Sequence, residues 1–188
     1  MNYYLLSAVF EPDEASFTEH QPQQLNFYHT EPKSFATPPV VSLDAFYEGR
    51  AMSDFLKLGI GFLASEKVQR IFQINGFTGI QFVPVEVHCD TVSNGYSFMN
   101  CIADYDLLDP LASNAKRFKE VIGGYAKVSS EKLDTLKFLQ CIIAHDCFTL
   151  SNYKQVYYVS ERVKLALEQA GVRGIAFVPA DFADVTST

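Results

Sequence analysis

The sequence predicts an α+β fold in which two repeated strand-helix-strand units lie on mixed β-sheet. Three observations carry that expectation. The stretch SEKVQRIFQINGFTGIQFVPVE at 65–86 is echoed 95 positions later, without a gap, by SERVKLALEQAGVRGIAFVPAD at 160–181. An internal repeat constrains architecture before any residue-level reading does. Each copy follows an apolar run, Ile60, Phe62 and Leu63 in the first and Val156, Tyr157, Tyr158 and Val159 in the second, rich in the β-branched and aromatic residues that favour strand. Each copy then switches to helical spacing before returning to an apolar run of strand length.

Within a copy the punctuation is specific. Ser65 and Ser160 stand where a helix N-cap accepts a bond from an orphan backbone N–H, and Glu66 and Glu161 place negative charge at the positive end of the helix dipole. Val68, Ile71 and Phe72, like Val163, Ala166, Leu167 and Ala170, share one helix face. Gly76 and Gly171 read as left-handed C-terminal caps. Residues 80–83 and 175–178 read as buried strands, each followed by a proline, Pro84 or Pro179, that restricts where the strand can sit or how far it pairs.

The remaining elements follow in chain order. Residues 3–10 read as a first strand. Residues 11–39 mix acids, Gln, His and Pro as a long surface excursion with one strand at 25–29, and residues 45–56 read as a helix burying Phe46, Met52 and Phe55. Beyond the first copy, Val85, Val87 and Cys89 alternate with polar residues, and a Ser93-Asn94-Gly95 turn returns the chain as a strand at 96–103. Asp104, Asp106 and the Asp109-Pro110 pair end that strand. Short strands are expected at 125–128, 135–143 and 147–150. The chain thus divides into an N-terminal strand and variable excursion, 1–55, packed on a core region, 56–188, within a single domain.

A hydrophobic content of 48% with 20% charged residues describes a globular protein. The net charge of −7 disfavours nucleic-acid binding, which draws on Lys and Arg against phosphates, and favours a basic partner. No segment approaches the roughly 20 apolar residues that span a bilayer, and the N-terminus lacks the basic region of a secretory signal. A cytoplasmic chain is expected, with Cys89, Cys101, Cys141 and Cys147 reduced and metal-free, because they lack paired ligand spacing.

Other chemistry is thin. Cys141, His145, Asp146 and Cys147 invite a nucleophile or metal reading, but their spacing matches no ligand set, and a core strand explains them. His88 and Cys89 point to opposite faces of a strand. The glycines around Ile60 and at 123–124 lack a phosphate-loop context. Neither catalytic residue nor cofactor is therefore expected, and turn chemistry explains the acids at 104–109.

A Ser-led helix ending in Gly-x-x-Gly-Ile-x-Phe-Val-Pro, a paired strand leading to an Ala-Asp-Tyr-Asp block, and a second helix-strand unit resemble the immunity protein 11 family of bacterial polymorphic toxin systems. The carriers are Ser65, Gly76, Gly79, Phe82, Val83, Pro84 and Glu86; Tyr96, Asn100, Asp104 and Asp106; and Ser160, Gly171, Gly174, Phe177, Val178 and Pro179. They cover residues 56–181. The resemblance implies an immunity protein that binds and neutralises a cognate toxin without turnover or cofactor. The candidate partner-binding residues are Glu11, Asp13 and Glu14, then Asp104, Asp106 and Asp109, the acidic clusters outside the repeated stretches. A non-catalytic small-molecule or regulatory domain is the alternative.

Overall fold

Strands dominate the chain because its apolar runs are buried on both faces. The computed structural model describes residues 2–10, 12–18, 22–25, 30–43, 45–59, 61–88, 92–117 and 124–184. In chain order they form β1 (Tyr3–Ala8), β2 (Glu14–Phe17), β3 (Val40–Ser42), β4 (Ala51–Leu58), β5 (Gly61–Ser65), α1 (Glu66–Asn75), β6 (Ile80–His88), β7 (Val92–Cys101) and β8 (Asp104–Tyr105). There follow β9 (Lys116–Arg117), β10 (Tyr125–Lys127), β11 (Lys132–Leu133), α2 (Thr135–Gln140), β12 (Cys147–Leu150), β13 (Tyr153–Ser160), α3 (Glu161–Gln169), β14 (Ile175–Pro179) and β15 (Asp181–Phe182). The class is α+β, with two curled mixed sheets.

One sheet has the order β2-β4-β5-β7-β6-β3 and the other β14-β1-β13-β12-β8, with small pairings of β9 to β10 and β11 to β15. The edge pairs β2–β4, β3–β6 and β8–β12 are parallel; the other pairs of the two sheets, the edge pair β1–β14 included, are antiparallel. Strand periodicity sorts side chains between cores. Phe55, Phe62 and Ala64 join Leu6, Met99, Tyr157 and Val159 in a cluster that includes Val68 and Phe72 of α1 and Val163 and Leu167 of α3. Their neighbours Leu56, Leu58 and Leu63 enter a second cluster with Val85, Val87 and Phe98. Val156 and Tyr158 enter a third with Tyr3, Phe148 and Leu150. Sheets buried on both sides read as continuous hydrophobic runs instead of alternating ones.

The helix ends follow the sequence reading with one exception. Gly76 and Gly171 have positive φ, 62° and 60°, which a β-branched residue tolerates poorly. The Ser160 hydroxyl accepts from Val163 N at 3.4 Å. Ser65 has cap dihedrals but makes no side-chain cap bond. Its hydroxyl instead donates to Asp54 Oδ1 at 2.9 Å.

Two segment assignments are corrected, and a third lies mostly outside the described residues. Residues 45–56 are not a helix: a single 3-10 turn, Ala45–Tyr47, ends at Gly49 with φ 73°, and β4 follows. Phe46 is therefore 60% exposed, covered by the Arg50 guanidinium 4.3 Å from its ring centre. Residues 135–143 are not a strand. Asp134 Oδ1 accepts from Leu136 N and Lys137 N, both at 3.0 Å, and this cap starts α2 instead. Leu25 closes a 3-10 turn from Gln23, and residues 26–29 of the expected strand lie outside the described residues.

Candidate functional site

The two acidic clusters are held on different sheets. Glu11 lies outside the described residues; Asp13 is exposed in the turn before β2. Glu14, the first residue of β2, accepts from Ser53 Oγ at 2.6 Å and pairs with Arg173. Asp104 opens β8, pairs with Lys154 and accepts from Ser151 Oγ at 3.2 Å. Asp106 pairs with Lys137 of α2 at 2.9 Å and accepts from Asn152 Nδ2 at 3.2 Å. Asp109 accepts from Leu111 N and Ala112 N at 3.0 and 2.9 Å, the turn chemistry that the Asp-Pro pair announces. Asp104 and Asp106 thus converge on the β12–β13 turn.

Beside that second cluster lies a surface the sequence reading passed over. Leu136 and Leu139 of α2 are 55% and 75% exposed, and Ile142 and Leu111 are 89% and 90% exposed. Leu136 and Leu139 are one helical turn apart and so neighbours on the helix surface, and contiguous exposed apolar groups mark interaction sites more often than isolated ones do. α2 also borders a groove of about 500 Å³ lined by Tyr3, Tyr4, Thr135, Phe138, Leu139 and Phe182. Within its lining, Phe138 stands edge-on to Phe182 at 4.9 Å and to Tyr3 at 6.0 Å. The Asp106–Lys137 pair ties the acidic cluster to this helix. The helical spacing of Leu136 and Leu139 behind Asp134 was the available signal.

Two half-buried carboxylates do structural work. Asp54 accepts from Ser65 Oγ at 2.9 Å, Lys67 Nζ at 3.0 Å and Arg173 N at 3.1 Å. Asp146 accepts from Ser160 Oγ at 3.0 Å and Thr78 N at 3.2 Å, with Arg162 Nη1 at 3.5 Å. Each therefore ties the start of one helix to the turn that follows the other helix. Asp146, grouped in the sequence with Cys141, His145 and Cys147, is committed to this role. His145 Nδ1 lies 2.8 Å from the Tyr105 hydroxyl, ahead of β12 and not on a strand with Cys147.

Burial pushes the Cys101 thiol up to about 12 and the Cys147 thiol well above its ordinary value, so both stay protonated and weakly nucleophilic. Cys101, Cys141 and Cys147 are free thiols, and Cys89 lies outside the described residues. Among the described residues no group of three or more His, Cys, Asp or Glu side chains is placed to hold a metal ion, and no helix is long and apolar enough to cross a membrane. Burial lowers the Lys57 ammonium to about 8, with its nitrogen 4.4 Å from the centre of the Phe62 ring.

Compared with known families, residues 8–182 match the model of an immunity protein family (Imm11). The match reaches back through the N-terminal segment, where the sequence reading found no carrier residues. No curated protein matches the chain.

Proposed function

The chain belongs to the Imm11 immunity protein family, and on that premise we propose that it neutralises one cognate bacterial toxin by binding it, without turnover of its own. The observation that carries this reading is the extent of the family match, residues 8–182, which takes in all three described helices and every strand except most of β1. The toxin is the product of a neighbouring gene in a polymorphic toxin system, and the neutralised complex forms in the cytoplasm.

For the binding surface we propose the acids named from the sequence, with Asp104, Asp106 and Asp109 ranked above Glu11, Asp13 and Glu14. The ranking rests on the apolar residues beside the first group. A tight interface needs a desolvated apolar centre inside a polar rim. Leu136, Leu139 and Ile142 supply such a centre and Asp106 and Asp109 such a rim. Charges on the rim steer a basic partner and act mainly on the association rate.

Co-expression with the neighbouring toxin tests the function. Cells carrying both genes survive, and cells carrying the toxin alone die. Equal killing with and without this protein removes the immunity reading. Rescue by a variant with Leu136, Leu139 and Ile142 all changed to Ser removes only the proposed surface.

A further inference from the structure

Strand registers in the two sheets correspond far beyond the stretch repeated in sequence. In one sheet Ser65 of β5 pairs with Tyr96, Ile80 of β6 with Cys101 and Phe55 of β4 with Ala64. In the other, Ser160 of β13 pairs with Tyr3, Ile175 of β14 with Ala8 and Cys147 of β12 with Val159. Each member of the second set lies 92 to 95 positions from its counterpart in the first. The small edge pairings agree as well. Val40 and Val41 of β3 run parallel to Glu86 and Val87, and Lys132 and Leu133 of β11 run parallel to Asp181 and Phe182.

The bonds outside the ladders follow the same relation. Phe55 N donates to Arg173 O at 3.2 Å and Cys147 N to Thr78 O at 3.0 Å; Val9 N donates to Gly174 O and Ile102 N to Gly79 O. Asp54 and Asp146 make the reciprocal clamps described above. A Cβ at Gly79 would strike the Cys147 carbonyl, and one at Gly174 the Phe55 carbonyl. Two backbone crossings at equivalent places are thus each too close to admit a side chain.

We infer that the whole chain is one unit of roughly ninety residues used twice, and that each unit's sheet is completed by the first strand of the other. The first unit runs from β1 to β6 and the second from β7 to β15. β7 fills the slot between β5 and β6, and β1 fills the slot between β13 and β14. The filling strands share a pattern, Tyr3, Leu5, Leu6 and Ala8 against Tyr96, Phe98, Met99 and Cys101. The surface joining the halves is therefore built for a second copy of the same unit, in the manner of an exchanged-strand dimer fused into one chain. Residues 106–146, which include α2 with its exposed leucines, stand 92 positions from residues 14–54, so α2 belongs to the second copy's counterpart of the stretch that carries β3 in the first. The inference concerns architecture and does not depend on the immunity reading.

Two variants of the full chain test it. In the first, a protease site replaces residues 89–91 and the folded protein is cut there. In the second, a flexible linker of about eight Gly and Ser residues joins Asp184 to Asn2, and the chain is opened between His88 and Val92. This reverses the order of the units but leaves every strand neighbour unchanged. The cut protein should elute as one particle with unchanged near-ultraviolet circular dichroism. The permuted chain should be a monomer with a native spectrum and a urea midpoint shifted by no more than about a tenth. A cut protein that separates into fragments overturns the inference, because the link then does more than connect units. So does a cut protein that holds together while the permuted chain fails to fold.

Discussion

Single residues carry separable costs and gains. Asp54 and Asp146 each accept several bonds from groups that would otherwise be unpaired. Replacing either by Ala should destabilise the fold by about 2 kcal/mol, since bonds to charged groups contribute about 1.5–3 kcal/mol each and partly compensate when lost together. Matched losses in urea midpoint are the expected outcome, and a neutral result at both sites would show that the clamps are decorative. Thr149 is the reverse case. Its Oγ1 is buried without a hydrogen-bond partner, alone in this among buried side-chain polar atoms of the described residues. Thr149→Val keeps the shape and removes the orphan, so the urea midpoint should rise, by about 1 kcal/mol of stability. A fall would mean that the hydroxyl finds a partner in solution.

Lys57 stands at the position of β4 that corresponds to Thr149 in β12, and it gives a pH-dependent signature. Burial lowers its folded-state value to about 8 against an ordinary 10.5. Below pH 8 both folded and unfolded states hold the proton, and the full cost of the buried charge is present. Between pH 8 and 10.5 the unfolded state binds more protons than the folded one, so the cost is relieved as pH rises. Stability of the parent measured against Lys57→Met should therefore improve from pH 7 to pH 10. The comparison must be made pairwise. The buried thiols, whose values are raised, shift overall stability the other way in the alkaline range, because their unfolded forms ionise first. A parent-to-variant difference that does not change with pH would place Lys57 in water.

At the scale of elements, the two helices with flanking strands were legible because cap, period and stop agree at Ser65 to Gly76 and at Ser160 to Gly171. The misread segments lacked that agreement. Residues 45–56 carry apolar positions compatible with helix, but Gly49 and Arg50 break the run, and Phe55 and Leu58 are sorted by strand pairing with β5, and Met52 by pairing with β2, that no local signal announces. At 135–143 the β-branched end of the segment outweighed Asp134, although that residue's cap decides the matter. The acids were placed by their exclusion from the repeat. Sequence could not reveal that Glu14 and Asp104 are engaged by Arg173 and Lys154, more than 45 positions away. Helix caps offer a check at this scale. Gly76→Val and Gly171→Val should each cost more than about 1 kcal/mol, because both positions have positive φ. Unchanged urea midpoints in both would contradict the cap geometry.

For the molecule as a whole, fold and function rest on different supports. The paired registers and the shared core explain why a chain of 188 residues with an excess of seven negative charges folds around apolar runs buried on both faces. Family membership, with the apolar and acidic surface around α2, supports a role in capture. A captor and a catalyst differ in stoichiometry, and that difference gives the most direct test. Purified protein is titrated into a fixed amount of the neighbouring toxin while the toxin's activity is followed. The account predicts that activity falls linearly to nothing at one equivalent, does not drift with time, and returns when the complex is separated in denaturant and the toxin refolded. Full activity in the presence of excess protein, or its irreversible loss at a small fraction of an equivalent, would contradict the account.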